Sequence, residues 1–338
     1  MAMRRGLFTF LSVAFCVLWA GGYLGESLGA PYYEGKRITI VVGVGPGGGY
    51  DRMARLFAKH LPKYIPGKPT MVVQNMEGAA SILASNHVFN LAKADGLTLG
   101  AIQRGIPIAQ LLKVDGVRYD IMKYAWVGST ATEATVLALR TDLPFKTFED
   151  LLKFKGEINL GGTGLGESST QFAILLKQFA GLNLKMIFYP SSPDIMLAIE
   201  RKEVDGRPGS YSAIKPFIER GLVRPLMRSR VSESGIENLP TDEDYASDAK
   251  GKTIMAMRSA GELIGRPYVA PPGTPPEIMS ILRTGFEKAA LDPELLAEAK
   301  KNMLEVRYVP ADECLKVVQF IFNQPDDVVK EFQKYIKF

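Results

Sequence analysis

The chain has 338 residues, of which 46% are hydrophobic and 23% charged, with a formal net charge of +5. That is enough length for two domains and enough apolar content for folded cores. The small basic excess is scattered among acids, which excludes the dense Lys/Arg block of a nucleic-acid binder. Two cysteines and two histidines exclude a disulfide framework, a CxxC redox pair and a histidine-rich metal site.

Residues 1–30 read as an export signal. Arg4 and Arg5 open it, Leu7 to Leu18 is nearly all apolar, and small residues lead to Gly29-Ala30. This is the three-part layout of a secretory leader, and the apolar run is short for a bilayer span of about 20 residues. Phe15 before Cys16 argues against a lipoprotein site. Cleavage after Gly29 or Ala30 is expected, with Ala20 an alternative. The mature protein is expected in the periplasm, held together by its core because Cys314 stands alone.

Ile38 to Val44 is a β-branched run that fits a strand buried on both faces. A glycine turn, Gly45 to Gly49, leads to a helix over Asp51 to Leu61 with Ala54, Phe57, Ala58 and Leu61 on one face; Pro62 ends it. His60 and His87 fall in predicted helices and read as surface or boundary residues. Strands are predicted at 71–73 and 97–102 around a helix at 81–92. The strand–helix alternation is the grammar of a parallel sheet.

Further strands are predicted at 126–129 and 135–139. Thr147 opens a short helix with a capping box to Asp150. A strand at 158–161 then runs into a second glycine loop, Gly162 to Ser169, and a helix carrying Phe172, Leu175, Leu176 and Phe179 at helical spacing. After a strand at 186–189 and a helix at 194–202, Gly206 to Ser210 begins a strand or turn. Asp242, Glu243 and Asp244 read as a solvated loop. Val269 to Pro276 is proline-rich and reads as a stiff crossing between lobes, followed by amphipathic helices.

The strand, glycine loop, helix unit therefore occurs twice. Glycine lets the backbone turn sharply, and the next helix presents unpaired N–H groups and partial positive charge. Such a corner attracts an anion without a cationic side chain. The alternatives are a plain tight turn or a dinucleotide fingerprint. Gly43, Gly45 and Gly48 satisfy G-x-G-x-x-G, but Gln74 and Asn75 stand where a ribose-binding acid is needed. No phosphate loop is completed, and Gly166-Glu-Ser168 is followed by Ser169 with no histidine partner in view. No catalytic residue, cofactor or metal is predicted.

Several segments together resemble a known family. They are Pro46 to Arg55 (P-x-G-G-x-D-x-x-A-R), Asn75 to Ala79 (N-x-x-G-A), the A-x-D-G-x-T-L stretch ending at Leu99, Gly161 to Ser168, Glu203-Val-Asp205, and Ala270 to Pro275 (A-P-P-G-T-P). The chain from about residue 36 to 338 resembles the substrate-binding proteins of tripartite tricarboxylate transporters, the Bug family.

The resemblance implies an α/β, two-lobed type-two periplasmic binding fold, each lobe a mostly parallel sheet flanked by helices. Lobe 1 would take residues 36–135 and 263–338, and lobe 2 residues 136–262. It also implies capture of a small organic carboxylate, a dicarboxylate or aromatic acid, for delivery to membrane permease subunits. Carried over, Gly47, Gly48 and Gly49, with Gly78 and Ala79, would meet Thr163, Gly164, Gly166, Glu167 and Ser168 around the anion, and Asp51 would cap its helix. The chain departs from the family at Tyr189-Pro-Ser-Ser192, at Arg266-Pro-Tyr268 where a tryptophan is usual, and at Arg207. Arg207 is the candidate for a second ligand carboxylate, with Arg104 the runner-up and a plain surface arginine the alternative. Tyr189 and Tyr211 either line the cleft or pack in the core. A sensor subunit for a membrane kinase and an exported enzyme acting on an acid are the competing functions.

Overall fold

The computed structural model describes residues 30–246 and 248–336, so the export signal expected at 1–30 lies outside it apart from Ala30. Strand β1 (Arg37–Val42) divides its side chains between two apolar clusters. Ile38, Ile40 and Val42 meet Phe57 and Phe286, whereas Val41 meets Ile82 and Trp126. A strand covered on both faces needs such an unbroken apolar run. Then come α1 (Gly49–His60), β2 (Thr70–Asn75), α2 (Ile82–Asn90), β3 (Thr98–Ala101), α3 (Ile106–Leu111) and β4 (Ala125–Ser129). Both β2 and β3 run parallel to β1, with Arg37 opposite Thr70 and Thr39 opposite Thr98.

At Thr130–Ala134 the chain crosses to a second sheet. Its elements are β5 (Thr135–Arg140), α4 (Phe148–Lys153), β6 (Ile158–Gly162), α5 (Ser168–Phe179), β7 (Leu184–Phe188), α6 (Ser192–Glu200), β8 (Gly206–Ser210), α7 (Tyr211–Glu219) and β9 (Val223–Arg228). The strand order is β7-β6-β8-β5-β9, with β5 antiparallel to both neighbours. The capping box at α4 forms as expected: Asp150 N–H donates to Thr147 Oγ1 at 3.2 Å, and Thr147 N–H donates to the Asp150 carboxylate at 3.0 Å.

After α8 (Ala249–Ala260) the chain returns to the first sheet as β10 (Pro267–Ala270). It ends with α9 (Pro276–Ala290), α10 (Pro293–Lys301), β11 (Val309–Pro310), α11 (Ala311–Phe322) and α12 (Asp326–Tyr335). The first sheet has the order β11-β4-β10-β3-β1-β2. The result is two α/β lobes whose sheets are mixed. Helix α11 packs on β4 and on α8, and α12 packs on α5 and α8, so the tail touches both lobes. One apolar cluster accordingly joins Trp126, Leu137, Phe172, Ile321 and Phe332.

Three local expectations are corrected. Val269 and Ala270 do not open a crossing; they are fully buried in β10, antiparallel between β3 and β4. Asp242 is not solvated. It is buried against Arg258 at 2.7 Å, and burial raises its carboxyl to a pKa of about 6. His60 is a core residue, its Nε2 2.9 Å from Glu298 and its Nδ1 3.5 Å from Asp292.

Candidate functional site

The first glycine corner joins β1 to α1. Gly47 adopts φ 80°, a conformation that L side chains rarely take, and its N–H donates to Asp51 Oδ2 at 2.8 Å. Asp51 sits buried in the first turn of α1 and also pairs with Arg55 at 2.9 Å and accepts from Asn75 at 2.9 Å. Burial alone would raise its pKa, but the hydrogen bonds from Arg55, Gly47 and Asn75 outweigh burial and hold it below the ordinary value. Asp51 thus closes the loop from within instead of capping the helix as expected: the N-cap is Gly48, without a side-chain cap hydrogen bond. Gly48 and Gly49 remain on the interlobe side.

The second corner, between β6 and α5, repeats the device. Glu167 Oε2 accepts from Thr163 N–H at 3.1 Å and from Thr163 Oγ1 at 2.7 Å. Gly166 and Ser168 press against Gly105 of the first lobe: a Cβ on Gly105 would lie 3.0 Å from the Gly166 carbonyl oxygen and 3.3 Å from Ser168 N. Gly164 takes φ 147° with open space around it. Thr163 lines two cavities together with first-corner residues.

Between the corners lies a small cavity of about 50 Å³. Val44, Gly45, Gly48, Gly49 and Tyr50 line it from the first lobe, and Thr163, Ser192, Arg207, Ser210 and Ala213 from the second. A neighbouring cavity of about 250 Å³ shares Val44, Gly45 and Thr163 and adds Gly78, Ala79, Gln103 and Pro190. Its wall is strained: Ala79, Ala80 and Ser81 all have positive φ, at 44°, 51° and 78°. Gly43 is required beneath it, since a Cβ there would lie 1.8 Å from Ser81 Oγ.

Two buried guanidiniums converge on this region. Arg207, 3% exposed, donates from Nε to its neighbour's Pro208 carbonyl at 3.1 Å and from Nη1 to the Ser192 carbonyl at 3.3 Å and to Ser192 Oγ. Burial lowers its pKa, and the negative field of Glu167 opposes that. Arg104, also 3% exposed, reaches across the lobes to Ser210 Oγ at 3.2 Å and Thr135 Oγ1 at 2.8 Å. Its Nε has no partner, nor do the buried Ser168 Oγ and Gln171 Oε1. Among the described residues, no carboxylate lies within ion-pair distance of either arginine. Other buried arginines do have one: Arg266 pairs with Glu133 at 2.6 Å, and Arg258 pairs with Asp242 and Glu262 at 2.7 and 2.6 Å.

The remaining expected residues lie apart. Tyr189 is half-buried against the apolar cluster around Ile195 and Val204 and lines neither cavity. Tyr211 is buried in that same cluster. Three contributors were not singled out from the sequence. Tyr50 donates to the Gly265 carbonyl at 2.8 Å and accepts from Arg104 N–H at 3.0 Å, while Ser192 and Ser210 hold the arginines. Tyr50 follows the glycine loop directly, which was the available signal. His60, Asp292 and Glu294 are close enough to hold a cation, but the Lys63 ammonium already sits 2.5 Å from Asp292 and 2.8 Å from Glu294.

Residues 53–333 match the profile of the tripartite tricarboxylate transporter family receptors. A UPF0065 protein of Bordetella pertussis is 25% identical over 313 residues, covering 90% of this chain and 92% of that protein. The structure of the periplasmic binding protein BugD superposes with a TM-score of 0.74 at 21% identity, over 90% of this chain and 98% of that one. An R. palustris protein solved with adipate gives 0.72 at 21% identity over 88% and 97%. With five-sixths of its length under one family profile and its two-lobed fold shared with these structures, the chain belongs to the tripartite tricarboxylate transporter receptor family.

Proposed function

We propose that this protein is a periplasmic solute receptor that closes its lobes over a small organic carboxylate and hands it to membrane permease subunits, performing no chemistry on it. The lobes divide at the two crossings, near residues 135 and 263. The observation that carries the ligand class is Arg207. A guanidinium this buried normally has a carboxylate partner, because desolvating an unpaired charge costs several kcal/mol, of the order of the ~3–5 kcal/mol lost when a buried pair is broken. Arg207 hydrogen-bonds only neutral oxygens, the Glu167 carboxylate acts on it only from beyond ion-pair distance, and it faces the interlobe cavity. An incoming carboxylate would supply the ion-pair partner, with the helix-start amides of Gly48 and Gly49 and the Arg104 side chain around it. Binding of adipate by the R. palustris protein supports an acid of this kind. A cavity of about 50 Å³ has room for about one or two waters, so uptake requires the lobes to part.

The test is calorimetric titration of C4 to C6 dicarboxylates into the wild type and Arg207→Ala. A charge-assisted hydrogen bond is worth about 1.5–3 kcal/mol, so the variant should bind at least about tenfold more weakly. Equal affinity in the two proteins, or no binding by any acid, overturns the assignment.

A further inference from the structure

A cavity of about 280 Å³, separate from the one at Arg207, has one wall on each lobe. Tyr211, Ser212, Lys215 and Glu233 line it from the second lobe, and α10 with the segment Met303–Val306 closes it from the first. Glu233 is 8% exposed, and its Oε1 accepts the Ala134 N–H at 2.5 Å, in the crossing between the sheets. A carboxylate buried this far ordinarily has a cation beside it. Among the described residues, none lies within ion-pair distance of Glu233. Arg266, whose positive field does reach it, is already paired with Glu133 at 2.6 Å. Lys215 of α7 lies 5.8 Å from the centre of the Tyr211 ring, and Lys300 of α10 is exposed. Glu133 in the crossing and Glu305 after α10 add like charge, while Glu237 on the same loop is engaged by the Gly235 N–H at 2.8 Å. Burial keeps the Tyr211 hydroxyl neutral. Three acids thus converge on the crossing, with one guanidinium among them.

We infer that Glu233 is a proton-controlled latch on lobe closure: as a neutral acid it lets the two walls of this cavity meet, and as a carboxylate it favours their parting. The walls belong to different lobes, so a hinge motion widens the cavity, admits water to Glu233 and carries Glu305 away from it. In the closed form, burial and the field of Glu133 hold the carboxyl well above its ordinary value; in the hydrated, open form that value is restored. Closure therefore takes up a proton. The ratio of closed to open forms should fall by up to about tenfold per pH unit as pH rises from about 4.5 to about 8, and level off above that. The latch presupposes the parting of lobes proposed above, but not the identity of the ligand at Arg207.

Small-angle X-ray scattering of the full chain without added ligand, at pH values from about 6 to about 9, reads lobe separation as a radius of gyration. The wild type should expand across that range as the open form gains on the closed one. Glu233→Gln keeps an acceptor for the Ala134 N–H and cannot ionise, so it should hold the compact radius throughout. Glu305→Gln, at an exposed position, removes part of the like charge; its expansion should be smaller and level off at lower pH. A wild-type radius that does not change with pH, or a Glu233→Gln variant that expands as the wild type does, overturns the latch. If Glu233→Gln does not fold, a Glu305→Gln curve that superposes on the wild type overturns it instead. Each of these results leaves the Arg207 assignment to its own calorimetric titration.

Discussion

Asp51, the third residue of α1, and Glu167, the N-cap of α5, make the same hydrogen bond in the two lobes. Each accepts the backbone N–H four residues before it, Gly47 at 2.8 Å and Thr163 at 3.1 Å, and so closes a glycine corner with an internal carboxylate. Each corner therefore brings its own anion. What remains for a ligand is the outer side of the loop and the arginines behind it that lack an ion-pair partner.

For Asp51 the consequence is an acid-sensitive contribution to stability. Its folded pKa lies below the ordinary carboxylate value, so the stabilisation is fully present above about pH 4 and is lost as pH falls through the depressed value. Asp51→Asn should cost about 1–3 kcal/mol at neutral pH and flatten the acid limb of a pH series of urea unfolding midpoints. Parallel wild-type and variant curves would contradict this.

Glu233 behaves in the opposite sense. Burial, reinforced by the negative field of Glu133, raises its carboxyl to about 8. Between its unfolded value of about 4.5 and that raised value, the folded state keeps a proton that the unfolded chain has released. Stability should therefore fall as pH rises across that window, by at most about 1.4 kcal/mol per pH unit, and level off above it. Glu233→Gln keeps the acceptor for the Ala134 N–H and should remove the slope. Denaturant midpoints at several pH values between about 5 and 9 measure it.

Glu133 and Arg266 form a pair at 2.6 Å, each 1% exposed, where the chain crosses between lobes. Ser212 donates to both Glu133 oxygens, at 2.9 and 3.0 Å. Glu133→Ala would strand a buried guanidinium and should destabilise by about 3–5 kcal/mol. Combining it with Arg266→Met should recover much of the loss. A double mutant no more stable than the single one would show that the pair is not the source.

Gly43→Ala tests the strained wall of the second cavity. The added methyl must displace Ser81 Oγ, which accepts from Gln103 N–H at 3.2 Å, and Ser81 Cβ is close behind at 2.7 Å. Overpacking of this kind costs about 1–3 kcal/mol, visible as a lower melting temperature. An unchanged melt would mean that the Ala79–Ser81 segment gives way freely.

Much of the architecture was legible because it is written in local patterns. The β-branched run of β1, the glycine turn after it and the Thr147 capping box each announce themselves over a few residues. Strand β10 did not, because four residues beginning with proline carry no periodicity and their strand character comes from β3 and β4 on either side. Strand β8, Gly-Arg-Pro-Gly-Ser, reads as strand or turn because it has no strand-like alternation, and its pairing with β5 decides for the strand. Asp242 looked solvated amid other acids, and only the approach of Arg258 buries it.

The candidate site divides the same way. From the sequence alone come the two strand–glycine–helix corners and the presence of Arg104 and Arg207, since a turn needs glycine locally and an arginine is charged wherever it stands. Only the tertiary structure decides that Asp51 and Glu167 occupy those corners, that Thr163 lines cavities together with first-corner residues, and that Arg207 is desolvated without an ion-pair partner while Arg266 has one. Charge compensation depends on which groups meet across the lobes, and residues as far apart as Glu133 and Arg266 meet only once both sheets have formed.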